Sequence, residues 1–222
     1  MTTVHLLDVD LVPEHTLGSP DQGKPLKGRL TFGWDVLTAD HDELPTSWAN
    51  YIRSAGDREF RQLLIVCSFR PETIENPGAF RHAALGVSLS APKSEIRPTA
   101  RLIEPGERTR PLAGLSSGFS FTVNMGLIQA GAQKEPSTGD AKEAWIVRGY
   151  GASQHDPQWQ FRGLRQVPLI GDHPVTALIE LVAGRPNIAE ILIAAELEHR
   201  SWGVRRYRAQ LAPSPHVITL SA

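Results

Sequence analysis

The residues with the greatest capacity for chemistry fall into a few short groups. Gly114-Leu115-Ser116-Ser117-Gly118 fits the pattern G-x-S-x-G. In hydrolases that pattern holds the serine on a tight strand-to-helix turn, which makes Ser116 a candidate nucleophile. The flanks do not supply that setting. Thr109 to Ala113 is a poor strand, and Phe119 to Val123 alternates like a strand where a helix is needed. A Gly/Ser-rich turn leading into a strand accounts for the residues better, and serine hydrolysis stands as an alternative reading.

Asp40-His41-Asp42-Glu43 places three carboxylates and an imidazole in consecutive positions, a set that could ligate a cation. The spacing is not that of a calcium loop, and no second histidine is set for a paired ligand. An exposed acidic loop ahead of a helix is the favoured reading, and no metal or other cofactor is expected. His5, His155 and His173 each have an aspartate within three residues, namely Asp8, Asp156 and Asp172. Such pairs can orient a general base, but the last two sit in turn-forming sequence, where solvation and local bonding suffice. Gly149-Tyr150-Gly151 lacks the further glycine of a phosphate loop.

Arg200 to Arg208 is the basic cluster of the chain, with Trp202, Arg205, Arg206, Tyr207 and Arg208 as candidate contacts to nucleic acid. Arginines grip phosphate while aromatic rings stack bases. On a strand, however, alternation divides this charge between two faces. Glu190, Glu196 and Glu198 are near enough to offset it from a neighbouring strand, so cross-strand pairing is favoured. Trp145, Trp159 and Phe161 could form a sugar-stacking row, but their spacing suits side chains filling a core between sheets.

The elements that must position these residues read mainly as strands. Leu7, Val9 and Leu11 alternate with Asp8 and Asp10; Leu30, Phe32 and Trp34, Leu85, Val87 and Leu89, and Phe119, Phe121 and Val123 repeat the same period of two. Arg61 to Phe69 is apolar nearly throughout, as for a strand covered on both faces. Asn76-Pro77-Gly78, Glu104-Pro105-Gly106 and Gly184-Arg185-Pro186-Asn187 mark strand ends, because Pro and Gly do not continue a ladder. One helix is expected over Thr46 to Ala55, opened by a Thr or Ser cap after Pro45 and ended by Gly56. Val175 to Leu197 reads as two strands closed into a hairpin by Gly184–Asn187, although Asn187 and Glu190 also fit a helix capping box. Gln133 to Lys142 reads as an exposed loop tip.

The predicted fold is thus all-β, an antiparallel two-sheet sandwich with one short helix, in a single domain over residues 1–222. Composition agrees: 41% hydrophobic residues suit a packed core, and 23 Lys+Arg against 24 Asp+Glu remove any global pull toward nucleic acid or anionic lipid. A single cysteine excludes a disulfide framework, and Cys67 reads as a buried, inert thiol. No secretory signal or apolar run of membrane-spanning length is found, so a cytoplasmic location without a membrane partner is expected. Since no catalytic group outweighs its structural explanation, the expected function is non-catalytic. It is that of a protein-binding adaptor or structural subunit that associates with another protein or with copies of itself.

Overall fold

The computed structural model describes residues 5–13, 26–39, 44–70, 78–111, 120–124, 127–131, 143–164, 167–201, 203–209 and 215–221. Along the chain these form β1 (His5–Pro13), β2 (Leu26–Thr38), α1 (Thr46–Ser54), β3 (Phe60–Phe69), β4 (Gly78–Ser90), β5 (Thr99–Glu104) and β6 (Glu107–Pro111). There follow β7 (Ser120–Asn124), β8 (Leu127–Gly131), β9 (Glu143–Tyr150), β10 (Gln158–Arg162), β11 (Gly171–Glu180), β12 (Asn187–Ser201), β13 (Gly203–Ala209) and β14 (His216–Ser221). The all-β antiparallel architecture with one short helix is as the alternation predicts.

Among the described residues, twelve strands make one antiparallel sheet in the order β5-β11-β3-β2-β1-β13-β12-β4-β10-β9-β6, with β14 beside β12. Neighbouring strands lie about 4.8 Å apart, so β3 and β4 would be separated by roughly 24 Å on a flat sheet. Yet Phe69 of β3 and Phe80 of β4 have ring centroids 5.1 Å apart, and Phe69 and Phe161 of β10 are 5.4 Å apart. The sheet therefore doubles over and becomes the two layers of a sandwich. Its interior holds Leu63, Ile65 and Phe69 from one layer and Leu85, Leu89, Trp159 and Phe161 from the other, all essentially inaccessible to solvent.

The two ends of the strand order also meet. Ala100 of β5 donates its backbone N–H to Gln154 at 2.9 Å, and Gly149 of β9 donates to Gly106 at 2.8 Å. This approach requires glycine at 149, where a Cβ would lie 2.6 Å from the Pro105 carbonyl oxygen.

Strand-like alternation in the C-terminal third is observed, but the expected hairpin is not. β11 pairs with β3 and β5, whereas β12 pairs with β4, β13 and β14. Residues 181–186 therefore carry the chain from one layer to the other. Asn187 makes that crossing possible. Its side chain accepts from the Val182 N–H (2.9 Å) and donates to the carbonyls of Val182 (3.1 Å) and Arg185 (2.7 Å) and to Ser221 Oγ (3.0 Å). The amide that could have capped a helix is thus spent on the crossing.

The helix α1 buries Trp48, Ala49 and Ile52 against Phe60 and Leu178. Its cap differs from the expectation: Pro45 occupies the N-cap with no side-chain bond, and the Pro45 carbonyl accepts from the N–H groups of Trp48 (2.9 Å) and Ala49 (3.0 Å). Proline supplies a fixed φ here, so a hydroxyl cap is not needed.

Replacing Asn187 by Ala removes four hydrogen bonds at a residue only 1% exposed. Such a loss is expected to cost about 2–3 kcal/mol, read as a lowered urea midpoint at unchanged slope. Unaltered stability would show that the crossing is held by its strands alone.

Candidate functional site

β6 is the terminal strand of the order, and its ladder with β9 runs to the pair Pro111↔Glu143. The chain therefore leaves the sheet at Pro111 and returns at the position directly opposite. Within this excursion lie β7 and β8, which pair only with each other among the described residues and form a two-stranded sheet beside β4.

The register of this hairpin sorts its residue types. Phe121 is opposite Ala130 and Val123 opposite Ile128, while Ser120 is opposite Gly131, Thr122 opposite Gln129 and Asn124 opposite Leu127. Paired residues share a face of the pleat and successive pairs alternate faces. One face thus takes Phe121, Val123, Ile128 and Ala130, and the other takes Ser120, Thr122, Asn124, Gln129 and Gly131 together with Leu127. From Pro111 to Gln133 the sequence contains no Asp, Glu, Lys, Arg or His, the longest such run in the chain.

The base of the excursion is charged. Arg148 of β9 donates from Nε to Glu107 of β6 at 2.7 Å. The guanidiniums of Arg148 and Arg162 stand 4.9 and 5.4 Å from the ring centroid of Trp145, which is buried beneath them. Cation–π attraction of this kind pins the ring at the foot of the strands. Next to it, His82 of β4 lies opposite Arg162 in the β4–β10 register. Burial first, then the positive charges of Arg162 and Arg81, lower the His82 pKa to about 4.

Among the described residues, the candidates from the sequence do not assemble into a catalytic centre. Ser116 and Asp40, His41, Asp42 and Glu43 lie outside the described residues, as do Trp202 and the expected loop tip at 133–142. Arg205, Arg206, Tyr207 and Arg208 belong to β13, where Arg206 is opposite Glu198 and Arg208 opposite Glu196. The acids and the arginines are thus opposed in the backbone register, and the Glu198 carboxylate accepts from Arg81 Nε at 2.7 Å. His155 Nδ1 lies 2.7 Å from the Pro98 carbonyl oxygen, whereas Asp156 pairs with Arg97 at 3.2 Å. His173 Nε2 lies 3.2 Å from the Ile170 carbonyl oxygen, and Asp172 accepts from Ser68 Oγ at 2.5 Å. Trp159 and Phe161 are core, and burial pushes the Cys67 thiol up to about 12.

No family model and no curated protein sequence matches this chain. Among solved structures it is similar to the Clostridium perfringens NetB toxin in the membrane inserted form, at 7% identity and a TM-score of 0.34, covering 97% of this chain and 94% of that one. It is also similar to Clostridium perfringens delta-toxin, at 7% identity and a TM-score of 0.32, covering 98% and 87%. A third, described as a pore forming protein, has 6% identity and a TM-score of 0.27, covering 98% and 90%. At these scores the likenesses carry no argument about which residues act. They do run against the expectation of a cytoplasmic adaptor or structural subunit without a membrane partner, which is withdrawn. Its sequence basis was the lack of a long apolar run. No helix among the described residues is long and apolar enough to cross a membrane, but that test does not address strands.

The hairpin was missed as a site because its residues carry no reactive group. The signal available in the sequence was the uncharged run with its period of two, not any motif.

Unfolding frees His82 to titrate near its ordinary 6.5, so the unfolded chain binds more protons than the folded one between about 6.5 and 4. His82 therefore contributes a stability loss as pH falls through that window, with none above it. Urea midpoints measured from pH 7.5 to 4.5 are expected to fall less steeply for His82→Gln than for the wild type. Parallel curves would exclude a half-buried imidazole held neutral here.

Proposed function

We propose that this chain acts on membranes: copies associate, and each contributes the β7–β8 hairpin as two strands of a shared transmembrane β-barrel. The observation that carries this reading is the hairpin itself. It lies outside the twelve-stranded ladder, it alternates apolar and polar residues, and it sits in a segment without charge.

The physical requirements of a bilayer supply the rest. Lipid offers no hydrogen bonds, so strands cross it only as closed barrels whose edges are all paired. Two strands cannot close. Membrane barrels begin at roughly eight strands, so about four or more copies are needed, and association follows from insertion. A crossing strand takes roughly 9–11 residues. β7 and β8 have 5 residues each, and the flanking sequence supplies the remainder on both sides of Met125–Gly126. Lys134 and Glu135 then fall at the end away from the tip, where charge reaches the interface. The face bearing Phe121, Val123, Ile128 and Ala130 would meet lipid, and the Ser/Thr/Asn/Gln face would line the lumen.

An environment-sensitive dye on single introduced cysteines tests this directly, because the buried Cys67 thiol does not compete for label. With phosphatidylcholine vesicles, probes at 121 and 123 are expected to shift to an apolar environment while probes at 122 and 124 remain in water. Phe121→Arg adds about 2 kcal/mol per copy on the lipid face, so release of a trapped dye should fall at least ten-fold. Equal spectra at all four positions, or no dye release by the wild type, would refute the proposal.

A further inference from the structure

A second site stands apart from the hairpin, where α1 turns into β3. Ile52 and Arg53 of α1, Arg58 and Glu59 of the connecting turn, and Phe60 and Arg61 of β3 line an open cleft of about 310 Å³. That is near the lower bound for small-molecule sites. Gly56, at φ +68°, reverses the chain there and brings Arg53 and Arg58 to the same cleft. Ile52 and Phe60 are buried and provide an apolar floor.

Among the described residues in and around the cleft, guanidiniums outnumber carboxylates. Arg61 pairs with Glu59 at 2.7 Å. Arg58 and Arg101 both bind one carboxylate, Glu180, at 3.2 and 2.6 Å. Arg53 donates to the neutral amide oxygen of Asn50 at 2.8 Å. Among the described residues, four guanidiniums are thus set against two carboxylates, or three counting Asp57 of the turn. Each guanidinium has five N–H donors in a planar fork, and the bonds above occupy a minority of those on Arg53 and Arg58.

We infer that this cleft binds a phosphate-bearing ligand, with Arg53 and Arg58 gripping the phosphate oxygens and Arg61 adding charge from β3. Guanidiniums match phosphate geometry in paired, charge-assisted bonds, and the apolar floor accommodates the carbon portion of a phosphate ester. The ligand chemistry is the same whether the phosphate is free in solution or part of a lipid headgroup. The site requires no inserted hairpin.

Titration of the full chain with inorganic phosphate and with glycerol 3-phosphate, followed by calorimetry and amide shifts, tests the cleft. Saturable binding is expected, with amide shifts centred on residues 50–61 and on Thr38 and Ala39, which also line the cleft, and with the ester bound more tightly than the inorganic ion. Arg53→Gln should weaken it about ten-fold, since one charge-assisted bond contributes roughly 1.5 kcal/mol. This variant touches only a surface amide, so its melting temperature should match the wild type and separate a binding loss from misfolding. Cosedimentation with phosphatidylcholine vesicles, with and without phosphatidic acid, identifies the source. Retention that depends on phosphatidic acid and is lost in Arg53→Gln assigns a headgroup, and soluble binding alone assigns a free phosphate. Absence of phosphate binding, or equal binding by Arg53→Gln, overturns the inference. Phe121→Arg, which disables the hairpin, should leave phosphate binding unchanged, so the two proposals fail independently.

Discussion

The contact of Phe69 with Phe80 and Phe161 holds the two layers of this protein together. Phe69 belongs to a strand far in the sheet order from those of Phe80 and Phe161, yet its ring centroid lies 5.1 and 5.4 Å from theirs, and all three are almost completely buried. Tilted and edge-on aromatic pairs add about 0.5–1.5 kcal/mol each beyond the area they remove from water. Much else follows from that closure. Doubling the sheet gives the apolar faces of β3, β4 and β10 a partner. It also brings β5 toward β9 and obliges the chain between β11 and β12 to cross layers instead of forming a hairpin. His173 packs edge-on against Phe69 and Phe161, which places an imidazole in the core beside two aromatic rings.

A sheet that satisfies its own apolar faces has no further use for an amphipathic hairpin. The excursion from β6 and β9 is distinctive for that reason. It starts and ends at opposed residues of a ladder, so the geometry that would lengthen the hairpin is already present at its base. The charges and the Trp145 ring gathered there mark a change in polarity along the strands. Arg148, Arg162 and Glu107 lie on the sheet side, and the sequence from Pro111 to Gln133 is free of charge.

Much of the fold was legible because burial on a strand imposes a period of two. Ile191, Ile193, Ala195 and Leu197 alternate in sequence and are buried in alternation on β12. The placing of Arg206 and Arg208 on a strand beside that of Glu196 and Glu198 was legible as well, since short-range antiparallel pairing follows from chain order. The candidate site was not. Alternation alone does not separate a strand of the main sheet from one outside it, so Phe121 and Val123 resemble core residues until their ladder is seen, among the described residues, to stand apart from that sheet. Asn187 was ambiguous for a related reason, because one amide can cap a helix or bridge a crossing, and the choice depends on partners distant in sequence.

The sequence by itself determined what each strand can bury: the alternating faces, the turns at Pro and Gly, the helix under Trp48 and Ile52, and the inert thiol at Cys67. Those properties are local, since they depend on side-chain type and backbone period within a few residues. Only the tertiary structure decided which strands are neighbours, which layer each joins, and which hairpin is left out. Those outcomes depend on contacts between residues tens of positions apart, such as Phe69 with Phe161 and Arg58 with Glu180, whose free energies compete across the whole chain.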